Sequence, residues 1–241
     1  MATTRKKENI LGVDIGGSKI NVVVWDGEKI VEQKQIVGAP NKDKLKTIAG
    51  EWGLQKIGVG VPGIFDATSG IVIKCSNAPQ LDGLNLKKLW PDKTIKIDND
   101  VHCFLLAEAM LGAGGGYNNI VAVAFGTGIG GALMIDGKIL PPVAGEVGHI
   151  IIDRGQNWKR LYQKTKNNSR EQEKINAIGL ANLINVLSPE IIILGGKGAQ
   201  SPNKKIISQY LLLPKKQMPK IILAKLGQNA NAIGAALLFV K

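Results

Sequence analysis

Apolar positions fall in short runs separated by glycine turns, the pattern of a sheet built from brief strands. Residues 10–13, Asn21 to Trp25 and Lys29 to Gln35 each read as a strand, with Asp26-Gly27 as the hairpin turn between the last two. Residues 42–52 read as a helix. Lys56 to Val61 returns as an apolar strand ending at Pro62-Gly63, and Thr94 to Ile97 as another. Val101 to Leu111 is predicted helical, with Leu105, Leu106 and Ala109 on one face. Gly112 to Gly116 then breaks the chain, and Ile120 to Ala124 begins again as a strand. Beyond it the pattern predicts a strand over 147–152 and a polar, basic stretch around 156–174. A helix from Lys174 to Leu187 follows, then a strand from Ile191 to Leu194. A helix over 203–212, a strand over 220–224 and a closing helix over 229–239 complete the chain.

The restart carries the most information. VDIGGSKINVVVWDGEKI (13–30) and VAFGTGIGGALMIDGKIL (123–140) superpose with a constant offset of 110 residues, so that Gly16 falls on Gly126, Asp26 on Asp136 and Gly27 on Gly137. Each copy reads strand, glycine turn, strand, Asp-Gly hairpin, strand. Such self-similarity predicts an α/β chain of two like-folded halves with a cleft between them.

Composition narrows the class. The chain has 241 residues, 44% apolar and 21% charged, which is enough to bury a core without disulfides or structural metals. Cys75 and Cys103 belong to no Cys-x-x-Cys pair, so no disulfide framework or zinc knuckle is read. The basic, polar start has no apolar segment of signal-peptide type, and no run is long enough to span a bilayer. The reading is a cytoplasmic protein without a membrane partner. Net charge is +12, and after Glu190 there are eight Lys and no Asp or Glu. Such a field attracts polyanions. With 5% aromatic residues and no recognition motif, no nucleic-acid partner is expected.

Five motifs could carry chemistry. Asp14-Ile15-Gly16-Gly17-Ser18-Lys19 could turn backbone amides toward phosphate, with Asp14 holding Mg²⁺ through water, or be an ordinary hairpin with a turn Asp. Gly126-Thr127-Gly128-Ile129-Gly130-Gly131 matches G-x-G-x-x-G, but a strand follows where a dinucleotide site needs a helix. A glycine hairpin around phosphates remains. Asp98-Asn99-Asp100 sits where a strand meets a helix; it could supply a general base or simply cap that helix. Glu146 and His149, three residues apart, could grip vicinal hydroxyls or form a surface pair. Gly195-Gly196-Lys197-Gly198, after an apolar strand, could let a flat ring such as adenine approach the backbone, or be a plain turn. No Walker A lysine motif is present.

In this order the motifs resemble the ROK family of sugar kinases, repressors and related proteins, within the actin-like ATPase superfamily. The resemblance runs from about residue 10 to 240. VDIGGSK and FGTGIGG resemble its two phosphate segments. Val61-Pro62-Gly63 and Ser76-Asn77-Ala78-Pro79, with Leu81 and Gly83, resemble its sugar loops. Asn99-Asp100 resembles its catalytic dipeptide, and Glu146-Val147-Gly148-His149 its E-x-G-H motif.

The resemblance implies two actin-like (ribonuclease H-like) domains, each a mixed sheet flanked by helices, with the active site in the cleft between them. They would span 1–112 plus 228–241, and 113–227. It implies phosphoryl transfer from ATP to the 6-hydroxyl of a hexose, glucose first. Asp100 would be the base. Gly63, Asn77, Asn99, Glu146 and His149 would hold the sugar. Asp14, Gly16, Gly17, Ser18, Lys19, Gly126, Thr127 and Gly128 would face the donor phosphates and Mg²⁺, and Gly195 and Gly196 the nucleoside. A homodimer is possible in the family.

Departures qualify the resemblance. ROK proteins usually follow E-x-G-H with a cysteine-rich zinc segment and a further sugar-binding Glu. Here Ile150 to Lys174 is shorter and has no cysteine, so no zinc is expected and one sugar contact is missing. His102 stands where many members carry a second Asn. The short form resembles the branch that uses inorganic polyphosphate, which keeps a polyphosphate-dependent glucokinase or glucomannokinase as an alternative. An inactive sugar- or nucleotide-binding protein is another. A DNA-binding repressor is disfavoured by the nine residues that precede the first strand here.

Overall fold

β-branched residues dominate the first strands, and they pair as their turns dictate. The computed structural model describes residues 8–75, 77–212 and 218–240. In it, β1 (Ile10–Ile15), β2 (Lys19–Trp25) and β3 (Ile30–Val37) form an antiparallel meander. β1 and β2 are buried almost throughout, whereas β3 is mostly exposed, as an edge strand with charged residues should be. α1 (Lys42–Trp52) starts where the Asn41 side chain accepts from the Lys44 amide and stops at Gly53, φ 62°. β4 (Lys56–Val61) then lies parallel to β1. A small hairpin of β5 (Ile64–Asp66) and β6 (Ile71–Lys74) and the single turn α2 (Leu86–Leu89) lead to β7 (Thr94–Asn99), parallel to β4. α3 (Asp100–Leu111) follows with no loop at all.

The second half repeats the plan. β8 (Ile120–Phe125), β9 (Ile129–Ile135) and β10 (Lys138–Ile139) form the meander. A ribbon of β11 (Ile151–Asp153) and β12 (Gln156–Asn157), then α4 (Trp158–Lys164) and α5 (Ser169–Leu187), come before β13 (Ile191–Gly195), parallel to β8. α6 (Lys204–Ser208) precedes β14 (Lys220–Leu223), parallel to β13, and α7 (Ala230–Leu237) closes the chain. The strand orders are β3-β2-β1-β4-β7 and β10-β9-β8-β13-β14, so the internal repeat is a repeat of topology.

Two compact units result: Met1–Ala107 with Gln228–Lys241, and Glu108–Gly227. The first crossing falls inside α3 rather than after Gly112. Each unit has its own apolar cluster. α7 joins the first unit through glycines. A Cβ at Gly12 would stand 2.0 Å from the Ala232 carbonyl oxygen, one at Gly58 1.8 Å from that of Ala235, and one at Gly234 1.7 Å from that of Cys103. Backbones touch there, α7 against β1 and β4 and against α3, which no side chain would permit.

Several local expectations change. Over 147–152 the strand shrinks to Ile151–Asp153, because Val147–His149 is a tight 3₁₀ turn. The polar stretch at 156–174 holds α4, whose Trp158, Leu161 and Tyr162 are buried between charged neighbours that masked the period. α5 starts at Ser169 rather than Lys174, capped by Asn168. The helix at 203–212 contracts to Lys204–Ser208. β5, β6 and α2 are too short to be read from periodicity. Among the described residues no helix is long and apolar enough to cross a membrane.

Candidate active site

β1, β4 and β7 run parallel and end side by side, so register sets what meets at their carboxyl edge. Asp14 lies beside Gly60, and Gly60 beside Asp98. Ligands of open α/β sheets collect at such an edge. Asp14 is 8% exposed. Its carboxylate accepts from Asn21 Nδ2 at 3.0 Å and from Asn231 Nδ2 at 3.3 Å. Asn21 Oδ1 accepts in turn from Gln35 Nε2 at 2.8 Å. Burial pushes the Asp14 carboxyl above its ordinary pKa, against the pull of the two amides and of Lys19. The sequence reading missed Asn21 and Asn231. Their signal was present: each is the polar residue inside an apolar element, VVV-flanked β2 and Ala-rich α7.

The glycine turn after β1 rests on the loop after β6. The Gly16 amide donates to the Lys19 carbonyl at 2.9 Å, while the Gly17 and Ser18 amides have no acceptor among the described residues. A Cβ at Gly17 would stand 2.5 Å from the Asn77 carbonyl oxygen. Gly63, at φ 94°, holds the same loop from the other side, with a Cβ position 2.3 Å from the Lys74 carbonyl oxygen. Asp82 fastens it. One carboxylate oxygen accepts from the Cys75 amide at 2.7 Å and the other from Lys74 Nζ at 2.7 Å. Both contacts hold Asp82 below the usual carboxylate range. Asn77 is exposed on this loop, and Ser76 lies outside the described residues.

Capping is observed at Asn99-Asp100. Asn99 Oδ1 accepts from the amides of Val101 at 2.9 Å and His102 at 3.4 Å, and Asp100 Oδ1 from Val101 at 2.9 Å. The cap does not compete with chemistry. It fixes Asp100 in the first turn of the 12-residue α3, where the helix dipole favours a carboxylate. Asp98, Asp14 and Asp100 all act on the buried Cys103 thiol, raising its pKa beyond what burial alone does. Cys103 Sγ lies 3.4 Å from where a Cβ at Gly60 would stand, beside the strand edge that carries Asp14 and Asp98. His102, 2% exposed, faces Asp98 through Nδ1 at 3.4 Å.

The second unit carries the other residues. The Gly126 amide donates to the Gly128 carbonyl at 2.9 Å, leaving the Thr127 and Gly128 amides without an acceptor among the described residues. Gly148 seats the neighbouring turn on β9, since a Cβ there would stand 2.3 Å from the Ile129 carbonyl oxygen. Val147 is buried, and Glu146 and His149 project outward with Oε2 and Nε2 3.9 Å apart. Gly196, at φ 86°, packs on the Phe125 carbonyl, which also accepts from the Gly198 amide at 3.0 Å. The two glycine turns thus share Phe125. Beside them opens a cavity of about 480 Å³ lined by Phe125, Arg170, Asn176, Leu194, Gly198 and Asn203. Arg170 escaped the sequence reading because α5 starts earlier than its pattern suggests.

Among the described residues no group of three or more His, Cys, Asp or Glu is arranged to hold an ion directly. Asp14 nonetheless fits hydrated Mg²⁺. Each carboxylate oxygen spends one lone pair on an amide and keeps another for water, which is how Mg²⁺ is usually held.

The chain is similar to known proteins along nearly its whole length. Residues 10–160 and 156–241 match the ROK family, and the two stretches meet inside the segment read as shortened. An N-acetyl-D-glucosamine kinase of Photobacterium profundum is 29% identical over 95% of this chain and 99% of its own. That alignment spans 306 positions against 241 residues here, so the relative carries insertions. A glucokinase of Thermotoga maritima is 33% identical over 61% of this chain and 52% of its own. The ROK family glucokinase of Streptomyces griseus, solved with glucose and AMPPNP, superposes with a TM-score of 0.79 at 21% identity over 95% of this chain and 98% of that one. The mixed sheets flanked by helices are shared with ROK proteins of known structure. With the match running from residue 10 to 241, the chain belongs to the ROK family.

Proposed function

We propose that the protein is a sugar kinase that transfers the terminal phosphate of ATP to the 6-hydroxyl of a hexose. The observation that carries this reading is Asp100, held by the α3 cap at the carboxyl edge of β7. In this role Asp100 accepts the proton of the attacking hydroxyl. Asn77, Asn99, Glu146, His149 and Gly63 orient the sugar. The open amides of Gly17, Ser18, Thr127 and Gly128 receive donor phosphate oxygens, and Lys19 adds charge. Gly195, Gly196 and the cavity beside them take the nucleoside. Mg²⁺, held through water by Asp14, neutralises charge on the phosphates when bound. Phosphoryl transfer asks little else of a protein than such positioning and charge.

Relatives named for N-acetylglucosamine and for glucose, which share their configuration at carbons 3 and 4, stand beside one named for N-acetylgalactosamine, which is inverted at carbon 4. A gluco-configured hexose, glucose first, is the substrate proposed here. Inorganic polyphosphate is a second donor reading, favoured by the eight Lys and absent carboxylates after Glu190.

The test crosses glucose, N-acetylglucosamine and mannose with ATP and polyphosphate in the presence of Mg²⁺. Asp100→Asn is expected to lower kcat by about 10²–10⁴ while hexose still binds. Unchanged turnover in that variant removes Asp100 from the chemistry. Hexose binding by the wild type without turnover on any pair makes the protein an inactive binder.

A further inference from the structure

α4 reaches the second glycine hairpin with two side chains one turn apart. The Gln163 amide donates to the Thr127 carbonyl at 3.1 Å. Lys159 lays its stem across Gly128: a Cβ there would stand 2.7 Å from Lys159 Cε, 3.0 Å from Cγ and 3.1 Å from Cδ. Lys159 Cβ is also 3.4 Å from where a side chain at Gly148 would begin. The stem therefore starts beside the Glu146–His149 turn and runs over the hairpin.

This placement is imposed by the core. Trp158, the preceding residue, is fully buried and donates from Nε1 to Asn176 Oδ1 at 3.0 Å. Gly179 admits its ring, since a Cβ there would stand 2.4 Å from two indole atoms. Asn157 caps α4 by accepting from the Arg160 amide at 2.8 Å. The backbone that carries Lys159 is held at both neighbours. Among the described residues no carboxylate pairs with its ammonium. The hairpin beneath it presents two amides, Thr127 and Gly128, that also lack a partner among the described residues.

We infer that Lys159 is a donor-binding and specificity-determining residue: its ammonium, with the Thr127 and Gly128 amides, takes the phosphoanhydride chain of the donor. This rests on the kinase reading above. A point charge beside inward-turned amides is how proteins bind phosphate chains. The segment that the sequence marks as lacking a sugar contact carries a cation beside the second glycine hairpin. The second glycine of Gly126-Thr127-Gly128 follows from the same contact, because the lysine stem occupies its side-chain space.

The test compares Lys159→Met, which keeps an apolar stem, with Lys159→Arg, which restores the charge. Titration calorimetry with ATP and with tripolyphosphate is run beside steady-state kinetics. Lys159→Met is expected to weaken binding and raise donor KM about tenfold or more. Hexose KM should stay unchanged, donor KM should depend less on salt, and Lys159→Arg should recover most of the loss. Weakening toward ATP, tripolyphosphate or both supports the inference, and the two arms identify the donor chain that is read. Equal binding by Lys159→Met and wild type, with unchanged donor KM, overturns it and leaves the kinase reading standing. A parallel loss of hexose and donor affinity with a lowered Tm, not recovered by Lys159→Arg, also overturns it, because that is the signature of packing alone. If the wild type binds neither anion, the kinase reading fails and the inference falls with it.

Discussion

Cys103 is a probe of the carboxyl edge where Asp14, Gly60 and Asp98 lie side by side, its Sγ 3.4 Å from where a Cβ at Gly60 would stand. It is fully buried, and burial with the charges of Asp98, Asp14 and Asp100 pushes its thiol well above the ordinary range. Cys75 is raised for similar reasons, burial first, and lies on the loop that carries Asn77. The thiolate is the reactive form. Both cysteines are therefore expected to resist a thiol-specific disulfide reagent at pH 8 in the native protein and to react in guanidinium. Rapid labelling of the native protein would show that these thiols are not buried. At this scale much of the candidate site was legible, because Asp14, Asn99 and Asp100 sit in glycine- and strand-end patterns that are local. Asp82 was not. Its partners are Lys74 and the Cys75 amide, across a turn that no periodicity announces.

At the scale of elements, short helices decide the site and are the hardest to foresee. α4 has seven residues, three of them buried, set among four charged or amide neighbours. Nothing in that composition exceeds the signal of a polar loop. Its helical state comes from the Asn157 cap and from the Trp158 ring lodged against Gly179. Trp158→Ala is expected to cost about 3–5 kcal/mol in urea denaturation, the range for emptying a large aromatic site. It should also weaken donor binding, because α4 then loses its seat on the hairpin. Trp158→Phe should restore most of the stability. An alanine variant as stable as wild type would show that α4 is not held by this ring. α3, by contrast, was foreseen almost to its first residue, since twelve residues of mainly apolar sequence behind an Asn cap are a strong local signal.

For the whole molecule, the return of the chain after Gly227 matters most. α7 lies in the first unit although it is last in sequence, and it brings Asn231 to Asp14 across 217 residues. Removal of 228–241 is expected to uncover the faces of β1 and β4 and to leave Asp14 with one amide fewer. Strong binding of an apolar fluorescent dye and loss of cooperative unfolding should follow. A truncated chain with native circular dichroism and a sharp transition would show that α7 is dispensable to the first unit. Within the second unit, residues next to its two chain ends meet chemically. Buried Glu108 accepts from the Lys225 and Leu226 amides through Oε1, at 2.9 and 2.8 Å, and from the Ala113 amide through Oε2 at 2.8 Å.

By itself the sequence determined the repeated strand–turn–strand plan, the glycine hairpins and the Asn99-Asp100 dipeptide. Those features depend on neighbours a few residues apart, where backbone sterics and alternation rule. Tertiary structure alone decided that Asn231 serves Asp14, that Asp82 fastens the Asn77 loop and that Lys159 crosses Gly128. These contacts join elements distant in sequence, and packing of whole elements sets them. A lysine in a polar stretch looks the same in sequence whether it faces water or a glycine turn.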